Sequence, residues 1–232
     1  MPIPYQQITI TGQTTALVAQ KIDQADRISA AQKIMQSSTT IEQVGFLDRS
    51  TLPYPTFTMM GGELSLIGSL AAGFTLLNGK MGQVAFQTSG ILSPISVKLS
   101  RLTCSLQIPA NVAFRQAPDR ITLGGISFLI INRIPKNQAL NDFELKSLQE
   151  LLLKSPAGGI VFYNNNQIYP VVKVKETNML VWESACGSGS VAFFLATGNS
   201  KIIQPSGAVL TVSRENDTLQ LSVLRKDITY ET

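Results

Sequence analysis

Two stretches of this chain repeat each other, and that repeat limits what the chain can fold into more than any single residue does. Gly61-Gly-Glu-Leu-Ser65-Leu-Ile-Gly68-Ser69 runs into the apolar segment Leu70-Ala-Ala-Gly-Phe74, and Glu183-Ser-Ala-Cys186-Gly-Ser-Gly189-Ser190 runs into Val191-Ala-Phe-Phe-Leu195. Aligning Gly68-Ser69 with Gly189-Ser190 sets Ser65 opposite Cys186. Upstream, Ile10-Thr11-Gly12-Gln13-Thr14-Thr15 matches Thr122-Leu123-Gly124-Gly125-Ile126-Ser127, and Val44-Gly45-Phe46-Leu47-Asp48 matches Ile160-Val161-Phe162-Tyr163-Asn164. The order is kept while the spacing drifts, as expected of one duplicated supersecondary unit. The repeat predicts an α+β chain of two pseudo-symmetric halves, residues 1–112 and 113–225. Each would be a curled sheet around a central capped helix, with a cleft between the halves and the boundary near Pro109–Pro118. The tail at about 226–232 is a candidate addition to the first half.

The chemistry proposed by these segments is that of helix starts. The first N–H groups of a helix lack intrahelical partners and carry partial positive charge, so they favour a thiolate and can cradle a carboxylate. Cys186 is therefore a candidate reactive thiol, although cysteine is also an ordinary core residue. Gly187, Ser188 and Gly189, with Gly68 and Ser69 opposite, are candidate carboxylate-binding positions. Ser65 suits a helix N-cap as readily as a site. Glu183 and Glu63 precede the two cradles by similar steps. Either could hold an ammonium or move a proton, against the plainer alternative of a solvated carboxylate at a strand end. The weighting favours a functional Glu183 and leaves Glu63 open.

Composition removes several other functions. The chain has no histidine, which excludes Ser-His and Cys-His nucleophilic systems and the commonest metal ligand; with only two cysteines, no zinc site of usual spacing can be built. No metal is expected. Cys104 and Cys186 fall at non-equivalent places in the two halves, so a disulfide is not expected and a reducing cytoplasm is the default compartment. The net charge of +4 comes from scattered Lys and Arg without a basic run, which argues against a nucleic-acid partner. No window is apolar for the 18 or so residues of a membrane span, and the start has no leader-like pattern, so no membrane association is expected. A homodimer is an assembly the sequence allows.

Periodicity predicts amphipathic helices at about Gln24–Met35, with Ile28, Ala31, Ile34 and Met35 on one face, and at Asp142–Lys154. The second is capped by Asn141 with Glu144 three residues on, and carries Phe143, Leu148, Leu151 and Leu152 inward. Strands are expected at Gln7–Ile10, Ala16–Gln20, Val44–Asp48, Thr56–Met60, Gln83–Thr88, Ile95–Ile108, Ile121–Leu123, Phe128–Asn132, Gly159–Tyr163, Val171–Lys175, Met179–Trp182, Val209–Ser213 and Leu219–Ser222. Cys104 lies in an alternating run and reads as core.

These residues resemble the cofactor-independent diaminopimelate epimerase-like proteins. Trp182-Glu-Ser-Ala-Cys-Gly-Ser-Gly-Ser190 is similar to that family's second-half signature, Gln204-Pro-Ser-Gly207 to the turn that follows it, and Gly12-Gln13-Thr14 to its first-half substrate loop. Glu42-Gln43-Val44-Gly45-Phe46 resembles most closely the histidine racemases of opine-metallophore pathways. The resemblance implies an amino-acid racemase or epimerase working without a cofactor, in which two cysteines flank the α-carbon and exchange its proton. Cys186 matches one; Ser65 stands where the family reads Cys-Gly-Asn, and Gly125 where it commonly has Asn. Gln13, Thr14 and Gln43 are carried over as substrate-binding positions.

A serine is a far weaker acid than a thiol and needs an adjacent base to act as one. In related proline racemase-type enzymes, Ser/Cys or Thr/Cys pairs go with dehydration of a hydroxy amino acid. An eliminase or double-bond isomerase on the same scaffold is therefore an alternative, as is a catalytically silent amino-acid-binding protein.

Overall fold

The computed structural model describes residues 3–231, so Met1 and Pro2 of the expected first half and Thr232 of the expected tail lie outside the described residues. The first element is a hairpin, β1 (Gln6–Ile10) and β2 (Gln13–Val18), which closes through Thr11 and Gly12 with Ile10 opposite Gln13. Both turn residues have positive φ, and at Gly12 a φ of 99° is one that glycine adopts freely. A parallel neighbour needs a crossover. It is supplied by α1 (Arg27–Ser37), which delivers β3 (Ile41–Asp48) parallel to β2, and β4 (Thr56–Met59) then returns antiparallel to β3. A second crossover, α2 (Leu66–Leu76), leads to β5 (Gly82–Thr88) parallel to β4, followed antiparallel by β6 (Ile95–Leu99) and β7 (Thr103–Pro109).

After β8 (Ala113–Ala117), the hairpin of β9 (Arg120–Leu123) and β10 (Ile126–Asn132) closes through Gly124 and Gly125 with Leu123 opposite Ile126. Helix α3 (Asp142–Lys154) then delivers β11 (Ala157–Asn164) parallel to β10, and β12 (Gln167–Val174) and β13 (Met179–Trp182) follow antiparallel. Helix α4 (Gly187–Thr197) leads to β14 (Lys201–Ile203), which meets β12 in parallel; β15 (Val209–Glu215) and β16 (Thr218–Leu224) complete this run. Two pairings tie the chain together: β16 lies antiparallel to β7, and β17 (Ile228–Glu231) lies antiparallel to β1.

The outer and inner helices differ because their sequences do. Each of α1 and α3 has one apolar face: Ala30, Ala31, Ile34 and Met35 are buried in α1, Leu148 and Leu151 in α3. The expected capping box is present on α3, where Asn141 Oδ1 accepts from Glu144 N at 3.0 Å and Glu144 Oε2 accepts from Asn141 N at 2.9 Å. Phe143 does not point inward as expected; it is 66% exposed. It is the second residue of the helix, one position before the stripe of Glu144, Ser147, Leu148 and Leu151 that faces the sheet. By contrast, α2 and α4 contain no charged residue and are buried nearly all round. Such helices belong inside a core, and Gly73 lets α2 lie so close to β6 that a Cβ there would meet Val97 at 2.4 Å.

The single strand expected over Ile95–Ile108 is two. Ser100-Arg101-Leu102 forms a turn in which the Ser100 hydroxyl accepts from Thr103 N at 2.9 Å, and this local bond breaks the strand. Strands β8, β14 and β17 were not expected from the sequence; β14, at three residues, is too short to show alternation. Both cysteines are free and buried, with Cys104 on β7 as core. No helix among the described residues is long and apolar enough to cross a membrane.

Candidate active site

Helices α2 and α4 meet at their N-termini. Ser188, in the first turn of α4, donates from Oγ to the Leu64 carbonyl at 3.1 Å and accepts from Leu66 N at 3.3 Å. The approach demands glycine: a Cβ on Gly187 would stand 2.9 Å from Leu66 Cβ and 3.2 Å from Ile67 N. Each helix is capped by the side chain that the sequence alignment sets in register. Ser65 Oγ accepts from Gly68 N at 3.0 Å, and Cys186 Sγ accepts from Gly189 N at 3.1 Å.

Both caps line one small cavity of about 30 Å³, room for about one water molecule. Its walls include Gln13 and Gln43 from β2 and β3, Glu63 and Ser65 before α2, and Glu183, Cys186, Gly187 and Ser188 around the start of α4. Met60, Leu64, Ile126, Val172, Val174 and Val181 supply an apolar remainder. Of the candidate positions, the structure thus brings together Cys186, Ser65, Glu183, Gly187, Ser188, Gln13 and Gln43. Thr14, Gly68, Ser69 and Gly189 are not on this wall. Thr14 shares a hydroxyl bond of 2.8 Å with Thr9, Ser69 donates to the Ser65 carbonyl at 2.7 Å, and the Gly68 and Gly189 amides are taken by the caps.

The cavity holds three carboxyl groups and no cationic side chain. Glu42, on β3, lines it and accepts from Ser184 N at 2.9 Å. Glu63 is 4% exposed, so the solvated alternative weighed for it does not hold. Burial pushes Glu63 up to about 7 and Glu183 up to about 8, and raises Glu42 too. Cys186 is raised well above the usual thiol range, first by burial and then by the adjacent Glu183; the Gly189 amide opposes this but does not win. The expected thiolate at the helix start is therefore corrected: burial and the neighbouring Glu183 favour the protonated thiol at Cys186. Two buried polar atoms have no partner among the described residues, Gln13 Nε2 and Glu183 Oε2.

Behind the wall, Gln204 is fully buried; its Oε1 accepts from Cys186 N at 2.9 Å and its Nε2 donates to Ser190 Oγ at 3.0 Å. Sequence reasoning placed Gln204 only at the head of a turn and passed over Glu42. A carboxylate beside Gln43 near the start of the β3 strand was the available signal for Glu42. Gln204 carried none, because its partners are 14 and 18 residues away.

The model of the histidine racemase CntK N-terminal domain matches residues 3–225. The chain belongs to that family. Membership in the CntK N-terminal domain family makes it an isomerase, an amino-acid racemase or epimerase. No curated protein matches the chain. Among solved structures, a predicted epimerase from Pseudomonas aeruginosa superposes with a TM-score of 0.65 at 11% identity, covering 98% of this chain and 96% of that one. A phenazine biosynthesis PhzC/PhzF protein from Clostridium difficile (strain 630) gives 0.58 at 11% identity, with 98% and 96% covered. A probable proline racemase from Agrobacterium radiobacter K84 with bound carbonate gives 0.56 at 10% identity, with 99% and 92% covered. At such identities the likeness is one of fold.

Proposed function

We propose that the chain is a cofactor-independent racemase or epimerase acting at the α-carbon of an amino acid, with histidine the leading substrate, and that Cys186 is an acid/base group with Ser65 in the place of a second cysteine. The observation that carries this reading is the convergence of the two caps on one cavity from opposed helix starts. We also propose that the halves, residues 1–112 with the tail and 113–225, are pseudo-symmetric copies of one unit. The recurrence of a hairpin, a parallel crossover, an antiparallel return and a second crossover through a buried helix supports it, as does the pairing of β17 with β1.

Removing an α-proton leaves an electron pair that spreads into the substrate carboxylate, so fixed donors at that carboxylate lower the barrier. The unpartnered Gln13 Nε2 and the amides of Gly187 and Ser188 are suited to this role, and Glu183 Oε2 to the α-ammonium. The protonated Cys186 is ready to deliver a proton to one face. At about 30 Å³ the cavity has room for water and not for a whole amino acid, so binding has to widen it.

Enantiopure amino acids incubated with the protein and resolved by chiral chromatography test this reading. Inversion of at least one, lost in Cys186→Ala, is the expected result; no conversion above buffer for any amino acid refutes it. The unlike pair of Ser65 and Cys186 favours a second reading, loss of water from a 3-hydroxy amino acid. Carbonyl product from such a substrate, without inversion of any amino acid, would establish that instead.

A further inference from the structure

Resting on the reading that an α-carbon is deprotonated in this cavity, we infer that Glu63, and not Ser65, is the group that exchanges the proton on the wall facing Cys186. The hydrogen bonds of Ser65 leave it no route to act as a base. Its Oγ donates to Gln43 Oε1 at 2.8 Å, and Gln43 in turn donates from Nε2 to Thr15 Oγ1 at 2.7 Å. That chain runs from a hydroxyl through an amide to another hydroxyl and contains no group that takes up a proton at neutral pH. A lone pair of Ser65 is also occupied by Gly68 N. The arrangement is that of a well-held helix cap.

Glu63 stands two residues earlier and lines the same cavity. The peptide that follows it is held at both its carbonyl and its amide, with Ser89 Oγ donating to the Glu63 carbonyl at 2.6 Å and Leu64 N donating to the Gly124 carbonyl at 3.0 Å. The side chain is steadied by Gly61 N, which donates to Oε2 at 2.9 Å. Positions 61 and 62 are glycines, and Gly62 has a φ of 79°, so the turn that folds the carboxylate back over its own backbone is built for it. No cation pairs with Glu63 among the described residues; both ion pairs found lie elsewhere, at Arg120–Glu150 and Arg133–Glu144. The titratable groups that share its cavity are Glu42, Glu183 and Cys186. Burial raises its carboxyl to about 7, where a general base is most effective at neutral pH.

The step balances without a co-reactant. The Cα–H bond breaks, its electron pair passes into the substrate carboxylate, and the proton goes to a Glu63 oxygen. The S–H bond of Cys186 then breaks as a new Cα–H bond forms on the opposite face, leaving a thiolate. One proton leaves Glu63 for solvent and one is taken up at Cys186, through Glu183 beside it. Run in reverse, Cys186 is the base and Glu63 the acid.

The test is α-hydrogen exchange in deuterium oxide, followed by proton NMR for each enantiomer of the substrate found above, with wild type, Glu63→Gln and Ser65→Ala compared. The expected result is that Glu63→Gln slows exchange of one enantiomer by about 100-fold or more, within the range for loss of a general base, and leaves the other within about five-fold. Exchange of the affected enantiomer rises through an apparent pKa near 7 in wild type, and that step disappears in Glu63→Gln. Ser65→Ala, which removes a helix cap, slows both enantiomers alike, by about ten-fold or less, and keeps the step in pH. Circular dichroism melts check folding; if Glu63→Gln does not fold, Glu63→Asp must keep the pH step while slowing the same enantiomer only. If Ser65→Ala abolishes exchange of one enantiomer and Glu63→Gln does not, the inference is overturned while the proposed function stands. If no amino acid exchanges with the wild type, the proposed function falls and this inference with it.

Discussion

Ser188→Ala separates the contribution of the helix-to-helix contact from that of the reacting groups. The Ser188 hydroxyl is the side-chain link between the two helix starts: it serves the Leu64 carbonyl at 3.1 Å and the Leu66 amide at 3.3 Å, and the residue is 4% exposed. Alanine leaves both backbone groups without a partner. Orphaning a buried polar group costs about 1–3 kcal/mol; both distances are on the long side, so about 1–2 kcal/mol each and about 2–4 kcal/mol in total is the reasoned loss. For a domain of this size each kcal/mol lowers Tm by roughly 2–4 °C, which gives a drop of about 4–16 °C. The single tryptophan, Trp182, stacks on Phe162 with ring centroids 5.8 Å apart and reports unfolding in urea. The denaturant slope should be unchanged and the midpoint lowered. A loss below about 0.5 kcal/mol would show that water or a small shift replaces the hydroxyl, and that Ser188 does not hold the two helix starts together.

Two other expectations follow from the same wall. Glu63 and Glu183 have folded-state pKa values raised to about 7 and about 8 from 4.5, so between these limits the folded protein holds more protons than the unfolded chain. Stability is then full below about pH 4.5 as far as these groups are concerned, and falls as pH rises through 7 and 8. Urea midpoints should be lower at pH 9 than at pH 6, and Glu183→Gln should remove part of that difference; midpoints that rise across the window would contradict the burial argument. Gln204→Leu keeps the side chain apolar and of similar size but strands the Cys186 amide, and should cost about 2–4 kcal/mol in melts while suppressing α-hydrogen exchange from the Cys186 face. Wild-type exchange in a destabilised Gln204→Leu protein would show that the thiol is positioned without it.

The parts of this fold that could be read from sequence are those whose cause is local. The α3 capping box needs only Asn141 and Glu144, three residues apart, and both appear in the structure as expected. The buried helices announce themselves by eleven-residue runs without charge. Phe143 was misplaced because periodicity gives the spacing of a face but not its edge, and at the first turn of α3 that edge falls one residue later. The strand over Ile95–Ile108 was overextended because Ser100 and Thr103 compete for the backbone through a bond that apolar alternation does not register. The ionisation of Cys186 was misread for a non-local reason. The helix start was visible, whereas the burial and the carboxyl of Glu183 that outweigh it arise only when β13, α2 and α4 are packed together.

The same distinction between local and assembled causes bears on the proposed pairing of Ser65 with Cys186. An N-cap asks for a side-chain acceptor within reach of the first-turn amides, and both the serine oxygen and the cysteine sulfur meet it here, at 3.0 Å and 3.1 Å from their amides. A serine at position 65 therefore serves the helix start as a cysteine does at 186. What a serine there does not supply is proton chemistry at neutral pH, because a capping hydroxyl bonded to an amide has no base to help it. A group able to restore that chemistry must already face the same space, must be free of a cationic partner and must titrate near neutrality. Glu63 meets all three conditions, being buried, lining the cavity and raised to about 7. The two helix starts thus supply two caps, while the proton-transfer groups on the walls of the cavity need not be the same residue type or even the same position.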